Sequence, residues 1–377
     1  MPLGQRIPQP GGHKSYVPNS LDEFDVPLEP LVRVNSDADR ALARLDAATE
    51  LLPNPDLFVR MYVRKEAVLS TQIEGTQASL LDLVDEAAGG RNEKKRDDLK
   101  EVNNYIEALE FGIDALDRLP ISRRLLCGIH ERLLKGVRGE NLAPGQLRRD
   151  QNYIGPPGAT ISEATFVPPP PDKVPDLLHD LAAFINSDQR HPVLIRAALA
   201  HQQFETIHPF LDGNGRLGRL LVTLMLIEDG TLQQPILYLS EYFRRHRQEY
   251  YDRLQAVRDE AELIDWIGFF LEAVRQVSEN GTKTARQIRS MREEHRRLVS
   301  EEIASPAKAY RLLEALYRQP AVTVPQVRDI IEMSYPVAND LVADFERLEL
   351  LEEVTGQKRN RRYRYTPYLQ LFGELAP

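Results

Sequence analysis

The chain has 377 residues, 42% hydrophobic and 28% charged, with a formal net charge of −9. This is the make-up of a soluble globular protein of two or three domains, and the acidic balance argues against bulk attraction to nucleic acid. One cysteine, Cys127, excludes an internal disulfide and a cysteine zinc cluster and fits a reducing, cytoplasmic compartment. The first residues lack the apolar core of a signal peptide, and the longest apolar stretch, Leu217 to Ile227, is too short to span a bilayer, so no membrane partner is expected.

Residues 1–35, rich in Pro and Gly with little periodicity, read as an irregular arm. From Asp37 to Leu51 apolar residues recur at helical spacing. Asn54-Pro55 then predicts a helix start, with Asn as cap and Pro in the first turn, and that helix runs to Glu74 and stops at Gly75. Glu74 therefore sits in the last turn, the unfavourable end of the helix dipole for a carboxylate, and would prefer a cation from elsewhere. Ser70 lies one turn back on the same face. Taken alone, this is a surface glutamate before a capping glycine.

Leu80–Glu86, Asp97–Leu116 and Ser122–Leu134 are further helices, the first two separated by a charged loop. His130, among apolar residues on the last of these, reads as packed or solvated and not as a ligand. Residues 146–167 change character: two β-prone runs, Gln151–Ile154 and Thr165–Val167, flank a Gly/Pro-rich turn. The Pro168–Pro171 run leads into the helix Pro175–Asn186, and Pro192–Thr206 is another helix.

There follows His208-Pro209-Phe210-Leu211-Asp212-Gly213-Asn214-Gly215-Arg216-Leu217-Gly218-Arg219. Gly213-Asn214-Gly215 opens an apolar helix, Arg216 to Ile227, stopped by Gly230. A helix N-terminus offers unpaired N–H groups and a positive dipole end, and glycines let the backbone approach a ligand. Arg216 and Arg219, three apart, share a face of the first turn, and two cations there suit a polyphosphate. Asp212 stands where a phosphate-bound Mg²⁺ wants one carboxylate. His208 is the side chain of the run able to take a proton near pH 7. The pattern Gly213-x-Gly215-x-x-Gly218 also fits the dinucleotide fingerprint, but the preceding stretch is helical and no βαβ unit surrounds it, which excludes that reading.

Beyond the motif, Tyr238–Phe243 precedes an Arg- and Tyr-rich helix ending near Val257. Tyr242 is a candidate to flank a nucleotide base, or else core. Glu262–Val277 is an apolar helix holding Trp266, and the charged residues 278–302 read as a long connecting helix. From Ser305, the helical segments Ala307–Tyr317, Val324–Glu332 and Tyr335–Leu348 precede strand-like Leu351–Val354 and Arg362–Tyr365, an order that resembles a winged helix-turn-helix. Its wing is basic (Lys358, Arg359, Arg361, Arg362, Arg364), but Asp340, Asp344 and Glu346 on the would-be recognition helix oppose phosphate. Protein contact or a homodimer fits at least as well as DNA, which is not favoured.

The run from His208 to Arg219 resembles the signature of the Fic family, His-x-Phe-x-(Asp/Glu)-Gly-Asn-Gly-Arg-x-x-Arg, at every fixed position. The resemblance implies a protein adenylyltransferase, which moves AMP from Mg-ATP to a Ser, Thr or Tyr hydroxyl of a target protein or of itself. It implies His208 as the base and Asp212 as the Mg²⁺ ligand. Gly213, Asn214 and Gly215 would form the anion hole, and Arg216 and Arg219 would hold the β- and γ-phosphates, in a nucleotide site spanning Gly213 to Arg219 with Leu217 and Gly218 included. Ser70-x-x-x-Glu74-Gly75 is similar to the family's inhibitory motif, which implies a self-inhibited class with Glu74 paired to Arg219. Residues 146–167 would be a β-hairpin flap that clamps the target's extended backbone beside its hydroxyl. The expected fold is mainly α: a Fic-type helical bundle with this flap, plus a C-terminal winged helix-turn-helix. Its parts are an N-terminal arm (1–35), a helical segment with the inhibitory helix (36–118), the Fic core (119–280), a helical connector (281–304) and the winged helix domain (305–377). Two alternatives accompany this reading. One is AMP removal or phosphotransfer at the same site, and the other is a DNA-binding regulator acting through the winged helix.

Overall fold

A computed structural model describes residues 3–23, 26–52, 55–90, 92–156, 158–187 and 190–373. The N-terminal arm is not irregular: β1 (Gly4–Pro8) and β2 (Lys14–Pro18) form an antiparallel hairpin with Gly4 opposite Pro18. Gly11 and Gly12 make the reversal at φ 101° and 84°, where a side chain would be strained. The hairpin has little apolar periodicity of its own because it is held by tertiary contacts. Tyr16 is buried, its N–H donates to the Val167 carbonyl at 2.9 Å, and its ring meets Phe166.

Helices follow in the predicted order: α1 (Val32–Glu50), α2 (Pro55–Ile73), α3 (Leu80–Ala87), α4 (Arg96–Leu116) and α5 (Arg123–Leu133). The expected Asn54 cap of α2 lies outside the described residues. Ser79 opens α3 with a capping box completed by Asp82, and the Ser122 side chain caps α5. The flap region is thinner than a hairpin. One bridge, Ile154 with Phe166, pairs the two β-prone runs, because prolines on either side supply no donors.

Next come α6 (Val174–Ser187), α7 (Val193–Ile207) and α8 (Asn214–Glu228). Nearly every residue of α7 from Leu194 and of α8 to Leu226 is buried, polar residues such as His201, Glu205, Arg216 and Arg219 included, and this pair forms the centre of the bundle. Around it lie α9 (Leu239–Arg245), α10 (Arg247–Glu260) and α11 (Leu263–Glu302). Two predicted segments, 262–277 and 278–302, are one 40-residue helix, because no residue between them breaks it. Gly281 inside it is packed: a Cβ there would lie 2.8 Å from Leu45 of α1. Trp266 donates its indole N–H to the Ala198 carbonyl, tying α11 to α7.

The C-terminal part holds α12 (Pro306–Arg318), β3 (Ala321–Thr323), α13 (Val324–Ile331), α14 (Tyr335–Arg347), β4 (Glu352–Glu353), β5 (Arg362–Arg364) and α15 (Thr366–Gln370), with an antiparallel sheet ordered β3-β5-β4. The third strand and the last helix are additions to the predicted pattern. This part is docked on α2 and α3. Arg364 makes a bidentate ion pair with Asp85, Gln319 donates to the Ala87 carbonyl, Phe372 meets Tyr62 edge-on, and Arg362 lies hard against Gly90. Among the described residues no helix is long and apolar enough to cross a membrane.

Candidate active site

The site forms where α7 hands over to α8. The chain leaves α7 through His208, in the left-handed region at φ 48°, and enters α8 after Gly213 at φ 77°. Between them, Asn214 staples the turn, since its carbonyl oxygen accepts from the Phe210 N–H at 2.9 Å and its amide donates to the Phe210 carbonyl at 2.8 Å. The left-handed positions are thus His208 and Gly213, and the Asn214 side chain is committed to the loop instead of to a ligand.

Two buried arginines, unforeseen from sequence, brace this turn. Arg148, at the start of the flap, donates to the carbonyls of His208 and Pro169. Arg258 of α10 donates to the Thr206 hydroxyl and the Glu205 carbonyl and lies over the Phe166 ring. Burial, followed by the fields of these two arginines, pulls the His208 imidazole down to about 4, so it is neutral and able to accept a proton at pH 7.

At the first turn of α8 the arginines diverge. Arg219 donates its Nε–H to the Ser70 hydroxyl at 2.9 Å, and its Nη2 reaches the Ser70 carbonyl at 2.9 Å and Glu74 Oε1 at 2.7 Å. Burial alone would raise Glu74, but Arg219 outweighs it and holds the carboxyl below its ordinary range. The carboxylate also covers the anion loop: a Cβ on Gly215 would fall 2.3 Å from Glu74 Oε1. Gly75, with φ 106°, ends the turn beyond it. Arg216, by contrast, points into the protein. It is 1% exposed, paired with Glu101 of α4 at 2.8 Å, with Asp212 3.6 Å away. The two arginines, expected on one face, therefore have different partners here: Arg216 the buried carboxylate of α4 and Arg219 that of Glu74.

Leu217 and Gly218 are packed into the bundle. Leu217 is fully buried core, and Gly218 serves close helix packing, since a Cβ there would sit 2.5 Å from Glu205 Oε1 and 3.2 Å from Phe204. Tyr242 is buried. Its ring lies on His246 and against Phe269, and neither belongs to the motif. The tyrosines that feel the charges of Arg219 and Glu74 are Tyr250, buried, and Tyr251, 41% exposed. Arg138 is another exposed cation at the rim, donating to the Glu74 carbonyl.

Parts of the chain match known proteins. Residues 120–226 match the Fic/DOC family, and residues 32–114 match the Fic/DOC family N-terminal region. The chain carries a Fic domain. It is 28% identical over 217 residues to a probable protein adenylyltransferase of Aquifex aeolicus, covering 55% of this chain and 58% of that protein. It is 34% identical over 151 residues to protein adenylyltransferase Fic of Aedes aegypti, covering 39% of this chain and 26% of that protein. The chain therefore spans between about a quarter and three fifths of the length of these curated relatives. Its fold is similar to that of a solved Fic family protein from Desulfovibrio desulfuricans G20, with a TM-score of 0.60 at 21% identity over 91% of this chain and 97% of that one. A Fic domain containing signaling protein from Bacteroides thetaiotaomicron aligns with a TM-score of 0.53 at 17% identity over 66% and 95%.

Proposed function

We propose that this chain is a self-inhibited protein adenylyltransferase that uses ATP to modify a protein hydroxyl. The observation that carries the reading is the grip of Ser70 and Glu74 on Arg219 at the mouth of a glycine-lined helix N-terminus. Such a terminus suits a polyphosphate, and Arg219 is the cation a terminal phosphate would seek. With Glu74 on it, the triphosphate cannot settle with its α-phosphorus in line with an incoming hydroxyl. With Glu74 withdrawn, the hydroxyl oxygen bonds to the α-phosphorus as the bond to the bridging oxygen breaks. Pyrophosphate leaves, and the hydroxyl proton passes to the neutral His208.

The donor set fits Mg²⁺. Asp212 keeps one carboxylate oxygen on the Gly213 N–H and leaves the other without a protein donor among the described residues. No group of three or more metal-binding side chains surrounds it among those residues, as suits an ion held mostly by phosphate and water. Bound there, the ion would neutralise phosphate charge. Arg216, fixed by Glu101, would brace Asp212.

The target is expected along the flap, where the lone Ile154–Phe166 bridge leaves backbone free to pair with an extended segment. The C-terminal part is read as a winged helix turned toward its own chain, with Arg362 and Arg364 against Gly90 and Asp85 and so less available to DNA. A cytoplasmic setting is compatible with the lone cysteine. The deciding experiment compares ATP labelled at the α- or the γ-phosphate, with wild type, Glu74→Gly, and Glu74→Gly combined with Arg219→Ala. Protein labelling from the α-label alone, raised in the single variant and lost in the double, is the expected result. Labelling from the γ-phosphate, or a fall in Glu74→Gly, would overturn the reading.

A further inference from the structure

Within the Fic core, the fully buried His130 of α5 takes no part in the chemistry described above, yet it touches the motif directly. Its ring lies flat on Phe210, with centroids 3.8 Å apart and planes 10° from parallel. Nε2 is 2.9 Å from the Asp212 carbonyl oxygen, and Nδ1 is 2.9 Å from the Gly145 nitrogen. A carbonyl can accept but not donate, and an amide N–H can donate but not accept. One neutral tautomer therefore satisfies both: Nε2–H donates to Asp212 while Nδ1 accepts from Gly145. Gly213 turns against the same ring, where a Cβ would lie 3.4 Å from Nε2.

We propose that His130 is the positioning residue for the Asp212–Gly213 loop, joining the metal-facing carboxylate and the anion-binding backbone to the base of the flap. Asp212 is held from two sides. His130 fixes its main chain, and its own Oδ1, accepting from the Gly213 N–H at 2.7 Å and facing Arg216, fixes its side chain. The remaining carboxylate oxygen then keeps one direction. Gly145 precedes the flap, so the same ring sets where the flap begins relative to the phosphates. The inference rests on the proposed adenylyltransferase reading for its enzymatic consequence, but not for the positioning itself.

The test uses the full chain carrying Glu74→Gly, with three changes at position 130. His130→Phe keeps the ring on Phe210 and removes both hydrogen bonds. His130→Gln supplies an N–H and a carbonyl about as far apart as the two ring nitrogens. His130→Asn reaches the Nδ1 position alone and so breaks the Asp212 bond without requiring that the Phe variant fold. Two quantities are read: hydrogen exchange at the Gly145 amide and across residues 209–216, and the Mg²⁺ concentration for half-maximal AMP transfer. Loss of an outer partner of a metal ligand typically costs ~10-fold to 100-fold in metal affinity or activity. The Phe variant should exchange faster at Gly145 and need about tenfold more Mg²⁺, with a smaller fall in kcat at saturating metal. The Asn variant should show the Mg²⁺ shift with Gly145 still protected, and the Gln variant should recover both. Unchanged exchange and an unchanged Mg²⁺ midpoint in the Phe and Asn variants overturn the proposal, as does a Gln variant as impaired as Phe. If the Glu74→Gly parent transfers no AMP, the enzymatic reading falls while the exchange data still decide the role of His130.

Discussion

His208 shows how the surroundings of one side chain set its chemistry. Replacing it by Ala should lower AMP transfer by ~10²–10⁴ while ATP binding persists, because the phosphate contacts remain. Its imidazole, pulled down to about 4 by burial and by Arg258 and Arg148, must be neutral to act. kcat/KM should therefore stay flat from pH 8 to below 6 and fall only as the pH approaches that value, and a limb near 6.5 would contradict the assignment. Glu205 behaves oppositely. Burial lifts its carboxyl to about 7, and its Oε1 is buried without a hydrogen-bond partner. Its folded pKa lies above its unfolded one, so its stabilising contribution is complete below about 4.5 and is lost as the pH rises through about 7. Glu205→Gln, which resembles the protonated form, should stabilise the protein at pH 8 by about 1 kcal/mol or more and have little effect at pH 4.5, as read from denaturant midpoints.

Among the elements, α2 is the one that would decide, under the proposed self-inhibition, whether the site is open. Its last turn and the residue that follows it present Ser70 and Glu74 together, and both hold Arg219, with the serine contributing its hydroxyl and its carbonyl. Ser70→Ala removes one of these bonds and leaves Glu74 in place. A buried hydrogen bond to a charged group is worth about 1.5–3 kcal/mol. The variant should thus transfer AMP faster than wild type but slower than Glu74→Gly. Activity at the wild-type level would show that the hydroxyl adds nothing to the grip. The α7–α8 pair depends on close approach in the same way. Gly218→Ala places a methyl against Glu205 and Phe204 and should destabilise the fold by about 1–3 kcal/mol, as measured by chemical denaturation.

Across the whole molecule, the C-terminal part bears on the helix that leads to Glu74. Arg364 and Asp85 are both mostly shielded from solvent, and Tyr62 of α2 meets Phe372. Arg364→Asp should speed hydrogen exchange in α2 and α3 but not in α7 or α8, and adding Asp85→Arg should slow it again. Exchange unchanged in α2 and α3 would mean the contact does not hold them. The same docking argues against DNA. With Arg364 paired to Asp85 and acidic groups on α14, binding to duplex DNA near 0.15 M salt should be no tighter than the ordinary non-specific range of ~10⁻⁴–10⁻⁶ M by fluorescence anisotropy.

Sequence alone determined what short-range physics controls: the order and approximate ends of the helices and the glycine-lined start of α8. Periodicity, caps and a twelve-residue run are all local signals. Tertiary structure decided where long side chains go. Arg216 and Arg219 sit three residues apart on one helix, yet one is drawn to Glu101 of α4 and the other to Glu74 of α2, a choice made by partners more than a hundred residues away. The contacts of Arg148, Arg258 and His130 were hidden for the same reason, since each reaches backbone groups distant in the chain that carry no sequence signature. The N-terminal hairpin and the single 40-residue α11 likewise depend on what packs against them, Phe166 and Val167 for the one and α1 for the other. A residue's type fixes which bonds it can make, but only the folded chain fixes which partner is within reach.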